Sequence, residues 1–369
     1  MNVSRTRIRA EAQRLVEHFC QAGANPIEAD ALQPAETLLD LYGEDIRARA
    51  YVTHDPVEGE KMLRPDFTVP VVQMHMNDGA EPARYTYQGS VWRKQEAESG
   101  RDSEYLQVGF ELFDGSDPAA ADAEVFALFA EALADLDLRA ATGDLGILMA
   151  AVAGLSTIDA RKNALLRHIW RPTRFRQLLD RYTGSTPSPE GRRALLKEAG
   201  TIPADVLCER AGVHVGMRSL ADIVARVEAL EQDAAAPPIS TTEAQILEDI
   251  LSLRDKSPPA LERLRDIEVD IPAIGPALQR MEARMDALAA RGVNVEALDF
   301  EGAYGRTTLE YYDGFVFGYY AESRADLPMI AGGGRYDTLT AVLGKGRSIP
   351  AVGAVVRPAL MLALREGKS

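Results

Sequence analysis

The residues best spaced for chemistry lie between Arg84 and Phe113, in the stretch ARYTYQGSVWRKQEAESGRDSEYLQVGFELF. Tyr85, Tyr87, Val91 and Arg93 alternate along its first arm, and Tyr105, Gln107, Gly109 and Glu111 fall on one face of the second. Side chains two apart in a strand share a side, so an arginine, an amide and a carboxylate converge on one surface. That set of donors and acceptors suits a small polar ligand. A solvated antiparallel hairpin with a polar loop is the alternative reading of the same alternation. Ahead of this stretch, LRPDFTVPVVQMH (Leu63 to His75) enters a helix through prolines that favour extended backbone. Asp66 and Thr68 stand at that entry, either as helix caps or as ligand groups.

Several elements must hold these groups in place. Apolar spacing predicts an opening helix over 4–22, a short hairpin around DPVEG with arms at 50–54 and 60–64, and a helix over 117–136 followed by a strand at 138–142. From about residue 150 the chain turns to Ala, Leu, Arg and Glu at helical spacing, broken by TGSTPSPEG, AAAPPIS and KSPP. Strand character returns at Val293. TLEYYDGFVFGYYAE (308–322) predicts a hairpin turning at Asp313-Gly314, and MIAGGGRYDTLTAVLG predicts a strand, a glycine turn and a helix. IPAVGAVVRPALMLAL closes as a strand running into a helix. The expected fold is α+β: a core of residues 1–150 and 293–369 whose two ends share one sheet, with a mainly helical insertion over 151–292.

Composition narrows the function. Of 369 residues 46% are apolar and 26% charged, as in an ordinary globular protein, and no apolar run reaches the roughly 20 residues of a membrane span. The net charge of −15 argues against a nucleic-acid partner, since phosphate binding rests on clustered Lys and Arg. The N-terminus lacks the uninterrupted apolar block of a signal peptide, and Cys20 and Cys208 are isolated, which fits a cytoplasmic protein without disulfides. His168, beside Trp170, and His214 have no ligand spacing, so no metal is expected. The phosphate-loop and dinucleotide fingerprints are absent, and no cofactor is expected.

LRPDFT, WRKQEAESGRDSEYLQVGFELF, TLEYYDGFVF, AGGGRYDTL and PAVGAVV occur in the order found in the histidyl-tRNA synthetase family, which the chain resembles nearly throughout outside its helical middle. The resemblance implies a class II aminoacyl-tRNA synthetase-like antiparallel sheet flanked by helices. It also implies a histidine site, with Asp66 and Thr68 facing the ligand ammonium, Gln107 and Glu111 holding the ligand and Tyr312 and Tyr336 lining its ring; Arg93, which matches the arginine of the second class II motif on the nucleotide side, is counted with them.

The departures fall on the nucleotide side. Gln95 stands where the family has a glutamate, Ser103 where it has a second arginine, Thr307 in place of another arginine with Arg306 one residue away, Leu360 for the third-motif arginine and Arg357 for a glycine. If 306–307 were strand, the one-residue offset would turn Arg306 to the opposite face unless a bulge intervened. A charge-assisted hydrogen bond is worth about 1.5–3 kcal/mol, so the absence of three would slow adenylation on the order of several thousand-fold. The sequence stops at Ser369, soon after the third motif, and the expectation is a protein without an anticodon-binding domain.

This combination resembles the regulatory subunits of ATP phosphoribosyltransferase, the synthetase-like paralogues of that enzyme. The resemblance implies a chain with no catalytic residues of its own. Its partner would be a short-form catalytic subunit, in a hetero-octamer of four catalytic and four regulatory chains with the regulatory chains self-associating as dimers. L-histidine would be the feedback effector on the first step of histidine biosynthesis. A truncated synthetase-like enzyme that still activates histidine or a related amino acid is the competing expectation.

Overall fold

The structure, a computed structural model, describes residues 3–42, 46–95, 102–213, 215–307 and 311–367. The polar loop at 96–101, His214 and the first residues of the 308–322 segment lie outside the described residues. Among the described residues there are twelve strands: β1 (Asn25–Pro26), β2 (Leu32–Pro34), β3 (Val52–Asp55), β4 (Gly59–Leu63), β5 (Ala83–Trp92), β6 (Glu104–Phe113), β7 (Arg139–Asp144), β8 (Arg254–Lys256), β9 (Asp299–Glu301), β10 (Phe315–Tyr320), β11 (Ala331–Arg335) and β12 (Ala351–Val356). Nine form one sheet in the order β1-β5-β6-β12-β11-β10-β7-β9-β8, and β2-β4-β3 form a small second sheet. As expected, strands from both ends of the chain pair directly, β6 with β12. The large sheet is antiparallel except at β1–β5 and β7–β9, where short strands pair in parallel.

The two faces of β6 have different tasks. Val108, Phe110 and Leu112 point into a core beneath the helices Arg5–Gln21, Pro118–Ala132 and Pro358–Gly367, where they meet Leu15, Phe19, Phe126, Phe129 and Met361. The helix Pro118–Ala132 starts where its sequence says it should, with Asp117 accepting from the Ala120 N–H at 3.0 Å and proline at the first turn. Gln107, Gly109 and Glu111 therefore lie on the opposite face.

Apart from β8, the middle of the chain is helical, with a core of Val152, Leu165, Phe175, Leu247, Leu264 and Leu278 that Leu148, from the helix Leu145–Gly154, joins. Its last helix, Gly275–Ala290, also locks onto the sheet domain: Arg284 donates to Asp144 at 2.8 Å and to Asp122 at 3.3 Å, and Arg335 of β11 donates to Asp122 at 3.0 Å. All four charged groups are buried.

Two local expectations are corrected. Gly332, Gly333 and Gly334 form no turn; they are the middle of β11, and none has a positive φ. Side chains from neighbouring segments fill the space above them, since a Cβ would come within 2.5 Å of Met329 Sδ at Gly332, 2.4 Å of Ala354 Cβ at Gly333 and 2.8 Å of Tyr312 Cδ1 at Gly334. Asp313-Gly314 does not join two paired arms either. Tyr311 and Tyr312 lie outside the sheet, and β10 pairs with β7 and β11 instead. Asp313 serves the next helix, its carboxylate accepting from the Asp337 and Thr338 N–H groups at 3.1 and 2.5 Å.

Candidate functional site: a tyrosine-lined carboxyl chamber

Glu111 is the centre of the site. It sits third from the C-terminal end of β6 with no exposed surface, and three hydroxyls donate to it: Thr68 at 2.9 Å and Tyr87 at 2.8 Å to Oε1, and Tyr336 at 2.5 Å to Oε2. Oε1 has both lone pairs engaged, while Oε2 keeps room for one more donor. Burial pushes the Glu111 carboxyl up to about 7; the three hydroxyls oppose this and the nearby Asp66 adds to it.

Glycines make this geometry possible. β5 and β6 pair with Tyr87 opposite Gly109, and a Cβ on Gly109 would lie 2.2 Å from Tyr87 Cζ. The missing side chain lets the tyrosine ring lie across β6 and reach Glu111. On the other side β12 places Gly353 opposite Glu111, where a Cβ would lie 1.5 Å from Oε2. A column of flat groups steadies Tyr87: Phe67 stacks on its ring at 4.4 Å, and the Arg64 guanidinium covers Phe67 at 3.9 Å. Arg64 is itself tied to the Ser90 carbonyl at 2.9 Å.

The remaining expected residues surround the same space. Thr68 opens the helix Thr68–Asp78 but spends its hydroxyl on Glu111 rather than on a cap. Asp66, also buried, is 3.4 Å from the Val69 N–H, a weak cap contact, and its charge acts on Glu111, Tyr87 and Tyr312. Gln107 lies on the same face two residues from Gly109. It is buried, and among the described residues its Oε1 has no hydrogen-bonding partner. Arg93 anchors its Nε on the Pro65 carbonyl at 2.7 Å, next to Asp66, and its charge acts on Tyr312. Tyr312 and Tyr336 close the chamber, each edge-on to Tyr311 at 5.0 and 6.0 Å between ring centres. Burial holds the Tyr87, Tyr312 and Tyr336 hydroxyls in the protonated, donating form. Tyr87 as a Glu111 ligand and Tyr311 as a wall were missed as site residues; only the register that sets Tyr87 against Gly109 signals the first.

The positions where the sequence departs from the synthetase pattern have other roles here. Leu360 is buried in the helix-covered core. Arg357 lies over the Tyr105 ring at 5.2 Å. Gln95 donates to the Arg93 carbonyl at 3.3 Å, and the Ser103 carbonyl accepts from the Arg93 N–H at 2.8 Å. Arg306 is not on a strand, so the strand-parity expectation does not apply: 302–307 is a run of turns. Its guanidinium is buried against the helical region, donating to the Ile169 carbonyl at 2.7 Å and covering Phe175 at 4.8 Å.

A separate cleft of about 640 Å³ lies beside the helix Pro118–Ala132, and none of its lining residues belongs to the Glu111 chamber. Its cations are engaged, Arg139 and Lys256 with Asp299 and Arg291 with Glu124. Among the described residues no cluster of His, Cys, Asp and Glu is placed to hold a metal ion, and no helix is long and apolar enough to cross a membrane.

A sheet with this strand order and these motifs defines a class II synthetase fold of the histidyl-tRNA synthetase type. The histidyl-tRNA synthetase family model matches residues 4–232 and 204–359. Among solved structures, the chain is similar to an ATP phosphoribosyltransferase regulatory subunit/histidyl-tRNA synthetase from Bacillus halodurans, with TM-score 0.67, 23% identity and coverage of 97% of this chain and 79% of that one. It is also similar to a histidine–tRNA ligase subunit from Alicyclobacillus acidocaldarius, with TM-score 0.61, 22% identity and coverage of 100% and 96%. At these identities both establish the fold alone. Proteins named ATP phosphoribosyltransferase regulatory subunit from Brucella canis and Brucella suis are 31% identical over 343 residues, covering 89% of this chain and 90% of theirs. The chain belongs to this family of regulatory subunits, built on the histidyl-tRNA synthetase fold.

Proposed function

We propose that this chain is the histidine-sensing, non-catalytic subunit of ATP phosphoribosyltransferase, working with a short-form catalytic subunit at the first step of histidine biosynthesis. The observation that carries the reading is the cluster around Glu111: a buried carboxyl with one acceptor position left on Oε2, a Gln107 Oε1 without a partner among the described residues, and tyrosine rings beside them. The imidazole N–H of histidine would donate to Glu111 Oε2. The ammonium would face Asp66 and Gln107, with Tyr312 and Tyr336 against the ring, Thr68 steadying Glu111, and Arg93 within reach of the ligand carboxylate.

The nucleotide side supports a non-catalytic role. Leu360 is packed into the core and Arg306 is committed to Ile169 and Phe175, so among the described residues neither position offers a cation to adenylation chemistry. The names of the Brucella relatives support a catalytic partner, here assigned as the short form in an assembly of four catalytic and four regulatory chains, with the regulatory chains paired as dimers. Feedback then requires that histidine bind the active and inhibited assemblies unequally, with typical couplings of about 1–3 kcal/mol. Calorimetric titration with L-histidine tests the site, with saturable 1:1 binding expected; no heat at millimolar ligand, alone and with the partner, contradicts it. Histidine-dependent exchange of pyrophosphate into ATP would instead favour an amino-acid-activating enzyme.

A further inference from the structure

We propose that Trp170, which belongs to the helical region, is a positioning residue for the amino-acid chamber and links the chamber's occupancy to the order of the helices on either side of it. The inference rests on the histidine-site reading above. Tyr312 lies outside the sheet, and its backbone carbonyl takes its partner from a residue 142 positions away: the Trp170 indole N–H donates to it at 3.0 Å. Among the partly buried apolar side chains described, the indole alone packs against both the helical core and the core around the chamber. One group therefore touches a wall of the site and the interior of the helical region at once.

The segment carrying Trp170 is short and held from both ends. It joins the helices Asp159–Arg167 and Pro172–Thr183. The neighbouring Ile169 carbonyl accepts from Arg306, and the same guanidinium covers Phe175 in the second helix. Both Arg306 and Tyr312 lie on the chain leading into β10, so this stretch grips residues 169–175 at two points, through Ile169 with Phe175 and through Trp170. A ligand that presses on the Tyr312 ring shifts the carbonyl to which the indole is bound, and the displacement passes to the two helices. Linkage is reciprocal, so loosening the indole must weaken the ligand by the same factor as the ligand tightens the helices.

Trp170→Phe keeps a ring in place and removes the N–H. L-histidine is titrated calorimetrically into wild type and W170F, and amide hydrogen exchange across 159–183 is followed with and without ligand. We expect histidine to slow exchange across 159–183 in wild type. In W170F the affinity should fall, by at most about twelvefold, the worth of one hydrogen bond, and the added protection should disappear. A purely structural indole would lower the melting temperature and leave affinity unchanged, which overturns the proposal. Histidine binding with no change in exchange over 159–183 in wild type overturns it too, and that arm stands even if W170F fails to fold. Absence of histidine binding in wild type is a different result, since it removes the site reading and the coupling together.

Discussion

Histidine binding should depend on pH in a way fixed by Glu111. Burial raises this carboxyl to about 7, and a free imidazole titrates near about 6.5. The proposed histidine site would hold one proton between the two groups, because an ionised Glu111 facing a neutral imidazole forgoes the ion pair with an imidazolium, and a protonated carboxyl facing an imidazolium places two donors against each other. Affinity then follows the product of two fractions, Glu111 protonated and imidazole neutral, which peaks between the two pKa values. From pH 7 to 8 that product falls about fourfold, and from pH 7 to 6 it falls by roughly half. Calorimetry in buffers of different ionisation enthalpy would measure the affinity and, at pH 8, the uptake of close to one proton per histidine bound. In Glu111→Gln the carboxyl titration vanishes, so whatever affinity remains should be flat above pH 7. Wild-type affinity that is constant or rising from pH 7 to 8, with no proton uptake, would refute the assignment of the shared proton to Glu111.

The same carboxyl has a consequence for stability. Its folded pKa lies above the unfolded value of 4.5, so the stability it contributes is full below about 4.5 and is lost as pH rises toward about 7, by up to about 3 kcal/mol. Denaturant titrations of the ligand-free protein should show E111Q losing less stability than wild type between pH 4.5 and 7.5. Gly353→Ala, whose Cβ would meet Glu111 Oε2 at 1.5 Å, and Gly109→Ala, which strikes the Tyr87 ring at 2.2 Å, should each destabilise by about 1–3 kcal/mol or more and abolish histidine binding. Gly191→Ala, in a helix with open space around it, should stabilise by about 0.5–1 kcal/mol in the same assay and leave binding unchanged. Arg284→Met leaves Asp122 and Asp144 buried with one cation fewer, and urea unfolding should report a destabilisation of about 3–5 kcal/mol.

The parts of the fold legible in the sequence are those whose signal is local. The β5–β6 pair shows a period of two, the helix Pro118–Ala132 has its Asp117 cap, and β3–β4 meet at Asp55, whose carboxylate accepts from the Val57 and Glu58 N–H groups. What misled is what depends on neighbours far along the chain. A glycine in a strand and a glycine in a turn look alike until Met329, Ala354 and Tyr312 are seen filling the space above β11. Aromatic runs flanking Asp-Gly look like a hairpin, yet the carbonyl of Tyr312 is engaged by Trp170 and the side chain of Asp313 by the helix Asp337–Leu343. Of the expected site residues, Thr68, Glu111 and Tyr336 meet in direct hydrogen bonds, with Asp66, Arg93, Gln107 and Tyr312 around them. Thr68 turned out to support Glu111. The role of Tyr87 was hidden because it follows from the register against Gly109 rather than from spacing along one strand.

The proposed regulation through the chamber can be tested in an assembly with a catalytic subunit. A short-form catalytic subunit would be combined with this chain, wild type or E111Q, and ATP phosphoribosyltransferase activity followed as L-histidine is added. We expect the catalytic chain to need this subunit for full activity, histidine to inhibit the wild-type assembly, and E111Q to raise the half-inhibiting histidine concentration at least about tenfold while preserving activation, since one buried charge-assisted hydrogen bond is worth about 1.5–3 kcal/mol. Equal inhibition of the wild-type and E111Q assemblies would place histidine sensing elsewhere and contradict the role given to Glu111.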